Sequence, residues 1–360
     1  MQKTFIVQST VSKFTLFSNL AILGTAHFLT DLICAALLFW AFTAKVASIQ
    51  DLAFLFVIYN ILAFGLQLPF GYLCDKIKKP KEFAILGLIL TALAGMLTLS
   101  NIYLAVLFAG IGNALFHIGA GTIALNLTPK KATAPGIFVA PGALGLLCGT
   151  LIGKAGLFNP IIFFGASVLL IATIYELKLP KINYSVSKKN KSNLTELLII
   201  LLLIVICARS IIGFAFIFPW KIDLTLLFVL TIGVVLGKAF GGILGDKFGW
   251  NKIGVGGLLV SIPLLYFGPQ NAILGIIGMF LFNFTMPITL VALSNLLPEK
   301  PATAFGLTCM ALIIGALPFY SDLSSFLKNK ELGVVIILIS AIVLFFVLKR
   351  MDAPKAKSKI

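Results

Sequence analysis

Charge is scarce in this chain: Asp, Glu, Lys and Arg make up 11% of 360 residues, against about a quarter in soluble domains. Acids are scarcer than bases, with 12 Asp and Glu against 28 Lys and Arg, and there are only two histidines. The five cysteines, Cys34, Cys74, Cys148, Cys207 and Cys309, lie inside apolar runs without metal-ligand or disulfide spacing, so they read as small buried hydrophobes. There is no phosphate-binding glycine loop, nucleophile elbow or zinc spacing. These absences remove most soluble-enzyme classes, and no cofactor or metal is expected. No cleavable signal is expected either, because the first apolar run is too long and lacks a small-residue cleavage site.

What is present is apolar sequence. Hydrophobic residues make up 60% of the chain and the mean hydropathy is +1.09. A soluble core of this size cannot absorb that much, whereas a bilayer can. A span needs about 20 apolar residues, and twelve candidates appear. They lie near Phe17–Phe42, Leu52–Leu73, Phe83–Leu99, Tyr103–Leu127, Ala132–Gly153, Phe158–Leu177, Leu194–Phe218, Leu224–Gly245, Ile253–Phe267, Ala272–Leu297, Ala302–Phe319 and Gly333–Leu348. The expected fold is an all-α integral membrane protein with two six-helix bundles, 1–177 and 194–360. They are joined by a polar, basic linker, 178–193.

Basic residues set the orientation. With both termini in the cytoplasm, 21 of the 28 Lys and Arg fall on inner segments and 5 on outer ones, leaving Arg209 and Lys238 in the membrane. The basic excess is therefore a topology signal, and nucleic acid is not needed to explain it.

The halves repeat. Leu127-Thr-Pro-Lys-Lys-Ala-Thr-Ala-Pro-Gly136 matches Leu297-Pro-Glu-Lys-Pro-Ala-Thr-Ala-Phe-Gly306 at six of ten positions, 170 residues on. Gly71-Tyr-Leu-Cys-Asp75-Lys76 matches Gly242-Ile-Leu-Gly-Asp246-Lys247 at an offset of 171. Parallel six-span repeats place a pseudo-two-fold axis along the membrane normal and a solute site between the halves.

Gly242-Ile-Leu-Gly-Asp246-Lys247-Phe-Gly249-Trp-Asn-Lys252 resembles the loop signature of the major facilitator superfamily, and the first-half copy departs from it with Lys78 in place of glycine. The resemblance implies a latch between helices, with Asp75, Asp246 and Lys247 as structural or gating residues. A narrower resemblance, to the fosmidomycin resistance family of efflux carriers, rests on Ala26-His27-Phe28-Leu-Thr-Asp31, Gly112-Asn-Ala-Leu-Phe116-His117, Arg209-Ser210 and Phe218-Pro219-Trp220. Two features depart from that pattern. Ile118 stands where a proline is common, and the fifth span has Gly145, Gly149 and Gly153 without the glycine–proline pair of the antiporter signature. The resemblance implies proton-coupled efflux and a bacterial inner membrane.

Charges inside a span cost about 2.5–3.5 kcal/mol each at a helix centre, so Asp31, Arg209 and Lys238 need partners, water or a ligand. His27 and Asp31 are four apart, on one helix face. They could carry a coupling proton or form a fixed pair. Arg209, in the seventh span, suits a carboxylate or phosphate. It could bind an anionic solute or bridge permanently to Asp31. Lys238 could line the cavity or snorkel to the interface, roughly 10 Å away. Asn113 and His117 form a second i, i+4 pair, and Asn113 maps onto Asn283. Both asparagines could face the cavity or bond neighbouring helices.

The expected function is alternating-access transport of a small, anionic organic solute, with proton-coupled efflux by a monomer in a lipid bilayer. The alternatives are an importer or uniporter of the same fold, or a membrane-embedded enzyme or sensor.

Overall fold

The computed structural model describes residues 12–44, 49–179, 184 and 193–352. The expected linker, Lys45 and several terminal lysines therefore fall largely outside the described residues. Among those residues there is no strand, and ten helices are long and apolar enough to span a membrane. Two shorter apolar helices complete the set of twelve. In chain order they are α1 (Lys13–Ala44), α2 (Ala53–Ile77), α3 (Pro80–Leu97), α4 (Ile102–Leu127), α5 (Thr133–Lys154), α6 (Pro160–Glu176), α7 (Asn193–Ala215), α8 (Leu224–Phe248), α9 (Asn251–Phe267), α10 (Ala272–Leu296), α11 (Pro301–Tyr320) and α12 (Lys330–Asp352). Each falls on one of the twelve expected spans. The short pair, α6 and α9, have 17 residues each, about 26 Å of helix and a little under the hydrocarbon thickness.

The helix ends explain themselves locally. Asn101 caps α4 by accepting from the Tyr103 and Leu104 amides. Asn271, 170 residues later, caps α10 in the same way. Pro80 and Pro301 open α3 and α11, where a missing N–H removes nothing from the helix. At the end of α2, Lys78 adopts the left-handed conformation (φ 61°), and Gly249 has φ 99° at the equivalent end of α8. The signature glycine is thus replaced by a lysine held where glycine would cost less.

Packing repeats across the halves. In the first, α1 lies on α5 and α3 on α4; in the second, α7 lies on α11 and α9 on α10. The α1–α5 contact is backbone to backbone. A Cβ on Gly145 or Gly149 would collide with the Phe28 or Leu32 carbonyl, and one on Gly153 would stand 2.5 Å from the Ala36 carbonyl. Small residues at every fourth position permit this approach. Between halves, α5 packs on α8 and α2 on α11, near the ends that carry Asp75, Ala132, Asp246 and Ala302. We call this the linker end.

Candidate functional site

Within the first bundle, α1 and α4 bring three titratable side chains together. Asp31 Oδ2 lies 3.2 Å from His27 Nε2, and Asp31 Oδ1 lies 3.7 Å from His117 Nε2. The two Nε2 atoms are 2.9 Å apart. Asn113 donates its amide to Asp31 Oδ1 at 3.1 Å. His27 Nδ1 donates to the Phe138 carbonyl on α5 at 2.8 Å, and His117 Nδ1 donates to the Asn113 carbonyl at 2.9 Å. The His27 ring stacks on Phe138 with centroids 4.9 Å apart. Gly142 is required beside the cluster, because a Cβ there would crowd Asp31 Oδ2 to 2.6 Å and collide with His27 Nε2. By distance alone, one donor atom each from His27, Asp31 and His117 lie within 4.8 Å of one another, close enough for a metal ion to bridge.

The His27–Asp31 pair expected from spacing is therefore made. His117 and Asn113, expected at the solute, are bonded into the same cluster. The Phe138 carbonyl and Gly142 had no signal in the sequence, since their roles come from backbone position.

The second bundle contributes the cations. Arg209 on α7 is half-buried, its Nε is buried without a hydrogen-bond partner, and it forms no ion pair among the described residues. The permanent Arg209–Asp31 bridge considered from the sequence is not made in this conformation. Lys238 on α8 is also half-buried and has no ion pair among the described residues. It stands within electrostatic reach of both Arg209 and Asp31. Asn283 is buried at a break in α10 and donates to the Met279 carbonyl of its own helix at 2.8 Å. It also lies against α8, where a Cβ on Gly237 would stand 3.0 Å from the Asn283 Cβ.

At the linker end the two repeated segments meet crosswise. Asp75 accepts from the Ala302 amide at 3.0 Å, the Thr303 amide at 2.7 Å and the Thr303 hydroxyl at 2.7 Å. Asp246 accepts from the Ala132 amide at 2.9 Å, the Thr133 amide at 2.8 Å and the Thr133 hydroxyl at 2.6 Å. Each carboxylate from one half thus caps a helix N-terminus of the other, with the helix dipole reinforcing the bonds. Trp250 adds an indole N–H to Asp246 Oδ1 at 3.0 Å. Lys247 is exposed, its ammonium over the Phe248 ring, outside this network. The two threonines were visible in the sequence as identical positions of the longer repeat; Trp250 was not singled out.

Comparisons with known proteins agree with this architecture. The chain is 26% identical over 343 residues to the fosmidomycin resistance protein of Escherichia coli (strain K12), covering 83% of this chain and 84% of that one. It is 25% identical over 341 residues to YfnC, an uncharacterised transporter of the MFS type from Bacillus subtilis (strain 168), covering 82% of each. Among solved structures it superposes on the fucose:proton symporter FucP of E. coli with TM-score 0.71 at 14% identity, covering 94% of this chain and 100% of that one. A second FucP structure, in the outward conformation, gives TM-score 0.70 at 15% identity, with the same coverage. The Major Facilitator Superfamily family model matches residues 14–320, and the chain is a multi-pass membrane transporter of that superfamily rather than an enzyme.

Proposed function

We propose that this transporter carries a small organic anion across a bacterial cell membrane, coupled to protons, by rocking of residues 1–177 against 194–360. The observation that carries the reading is the pair Arg209 and Lys238, two cations inside the spans with no ion pair among the described residues. Two cations left unpaired among the spans cost several kcal/mol, and an anionic head group would offset that cost. Arg209 offers a forked donor for carboxylate or phosphate, and Lys238 a point charge beside it. Asn283, packed against Gly237 of α8 next in sequence to Lys238, is a neutral group that could join them.

His27 and Asp31 carry the proton in this reading. Asp75 and Asp246 hold the linker end shut while the opposite end admits solute. The basic residues at the linker end support a cytoplasmic position for it and for both termini. The family resemblance carried by His27, Asp31, His117 and Arg209 favours efflux in exchange for protons, and we take the carrier to work as a monomer.

Lys238 favours a second reading of the coupling. It feels Asp31 as well as Arg209, so a proton on the histidine–aspartate cluster removes negative charge that opposes the anion. Proton and anion would then bind together and move in the same direction. Transport in proteoliposomes with an imposed pH gradient, screened over small carboxylates and phosphonates, tests both readings. Solute flux against proton flux supports exchange, and flux with protons supports co-transport. Accumulation of neutral or cationic solutes alone would sink the anion reading.

A further inference from the structure

We infer that the coupling proton resides between the two histidines, in a hydrogen bond from one Nε2 to the other, with Asp31 as its counter-ion. This rests on the proton-coupled reading above and moves His117 from solute contact to proton carrier.

A backbone carbonyl can only accept. The contacts of His27 Nδ1 with the Phe138 oxygen and of His117 Nδ1 with the Asn113 oxygen therefore place a hydrogen on each Nδ1. In neutral imidazoles both Nε2 atoms would then be bare lone pairs. Yet these atoms face each other at 2.9 Å, with a carboxylate oxygen 3.2 Å from one and 3.7 Å from the other. Three acceptors cannot share that space without a cation among them. One proton resolves it, as an N–H···N bond joining an imidazolium and an imidazole, while Asp31 balances the charge.

A divalent metal is the other cation to weigh. Tetrahedral zinc with nitrogen ligands at about 2.05 Å would hold the two nitrogens about 3.3 Å apart; 2.9 Å is hydrogen-bond length. A metal would also leave the cluster with net positive charge beside Lys238 and, through it, Arg209. A proton leaves it neutral. The other groups facing the cluster are Asn113, Cys34 at 3.9 Å from the Asn113 amide, and Tyr59 near Cys34. None supplies a further positive charge.

The consequence is mechanical. When the proton leaves for water, two lone pairs and a carboxylate repel one another, and at least one imidazole must turn. His27 is tied to Phe138 of α5 by both its hydrogen bond and its stacking. Two residues along, Gly136 lies against the Lys238 carbonyl of α8, where a Cβ would stand 2.7 Å away. Loss of the proton therefore strains the contact through which the halves meet.

The test uses the fact that the chain holds only two histidines. Full-length protein with a histidine-free tag, labelled with ¹⁵N-histidine in lipid nanodiscs at pH 7, should show both Nδ1 atoms protonated. One further proton should be coupled to both Nε2 nitrogens. Two uncoupled, unprotonated Nε2 signals would overturn the inference, as would one equivalent of tightly bound divalent metal by elemental analysis. In proteoliposomes, His117→Gln should abolish pH-driven accumulation while solute affinity stays within about three-fold. A variant with weakened solute affinity and intact coupling would return His117 to the solute site. Wild-type accumulation indifferent to the pH gradient would sink the coupling reading itself, and the spectrum would still decide where the proton sits.

Discussion

At the residue scale, Arg209 is the position that tests the anion proposal most directly. A lysine keeps the charge but cannot reproduce a bidentate contact to a planar anion. Arg209→Lys should weaken anion binding at least about ten-fold while thermal stability holds, because Arg209 makes no ion pair among the described residues that the change would break. Were Arg209 only a strut to Asp31, Asp31→Asn with Arg209→Gln would remove both charges, restore stability and bind like the wild type. Ligand affinity and melting temperature of these variants, measured together, separate the cases. Asp31→Asn alone should abolish gradient-driven accumulation without weakening solute binding, since Asp31 bonds the histidines and reaches Lys238 only electrostatically; unchanged accumulation would remove it from the coupling. The spacing of His27 and Asp31 was enough to expect their pairing, because positions four apart share a helix face whatever the fold. Nothing local could show that His117, 90 residues away, would close the same cluster, and its own i, i+4 partner Asn113 drew it toward a solute role.

At the element scale, two positions probe how the helices end and meet. Lys78 closes α2 with φ 61°, a conformation that costs a residue with a Cβ roughly 1–2 kcal/mol. Lys78→Gly should therefore raise stability by about 1 kcal/mol, part of the gain being lost to the greater freedom of the unfolded chain; a fall in melting temperature would show that the lysine side chain, which lies over Tyr184, matters more than its backbone. Gly242 stands at the crossing of α8 with the start of α5, where a Cβ would collide with the Ala132 carbonyl. Backbone cannot yield as a side chain end can, so Gly242→Ala should part the halves at the linker end rather than unfold either bundle. Spin labels at positions 131 and 249, in a background without the native cysteines, should report a longer distance in this variant than in the parent. An unchanged distance with a lowered melting temperature would mean that the contact serves folding alone.

At the scale of the whole molecule, orientation is the property to measure. The basic residues predict a cytoplasmic linker end, and the antiparallel order of the helices puts the turn at Gln270 on the opposite face. A cysteine at position 270 should react with an impermeant reagent on intact cells, and one at position 130 should react only after permeabilisation. The reverse pattern would invert the topology and the direction assigned to the latch.

Twelve spans, their order, the internal repeat and the membrane as solvent were all legible in the sequence. Each follows from a quantity that sums along the chain: the transfer free energy of about 20 neighbouring residues, the charge of a short loop, or identity at a fixed offset. The two repeated segments even held both sides of the latch, Asp75 and Asp246 in one, Thr303 and Thr133 in the other. That they bind crosswise, over 227 residues for Asp75 and Ala302, is a fact of the assembled halves. The same holds for the lack of an ion pair at Arg209 among the described residues and for the meeting of two histidine nitrogens. Those depend on how far each helix is rotated about its own axis. The rotation is set where Gly145, Gly149, Gly71 and Gly242 let one backbone press on another, and hydropathy, which is nearly uniform around these helices, carries no record of it.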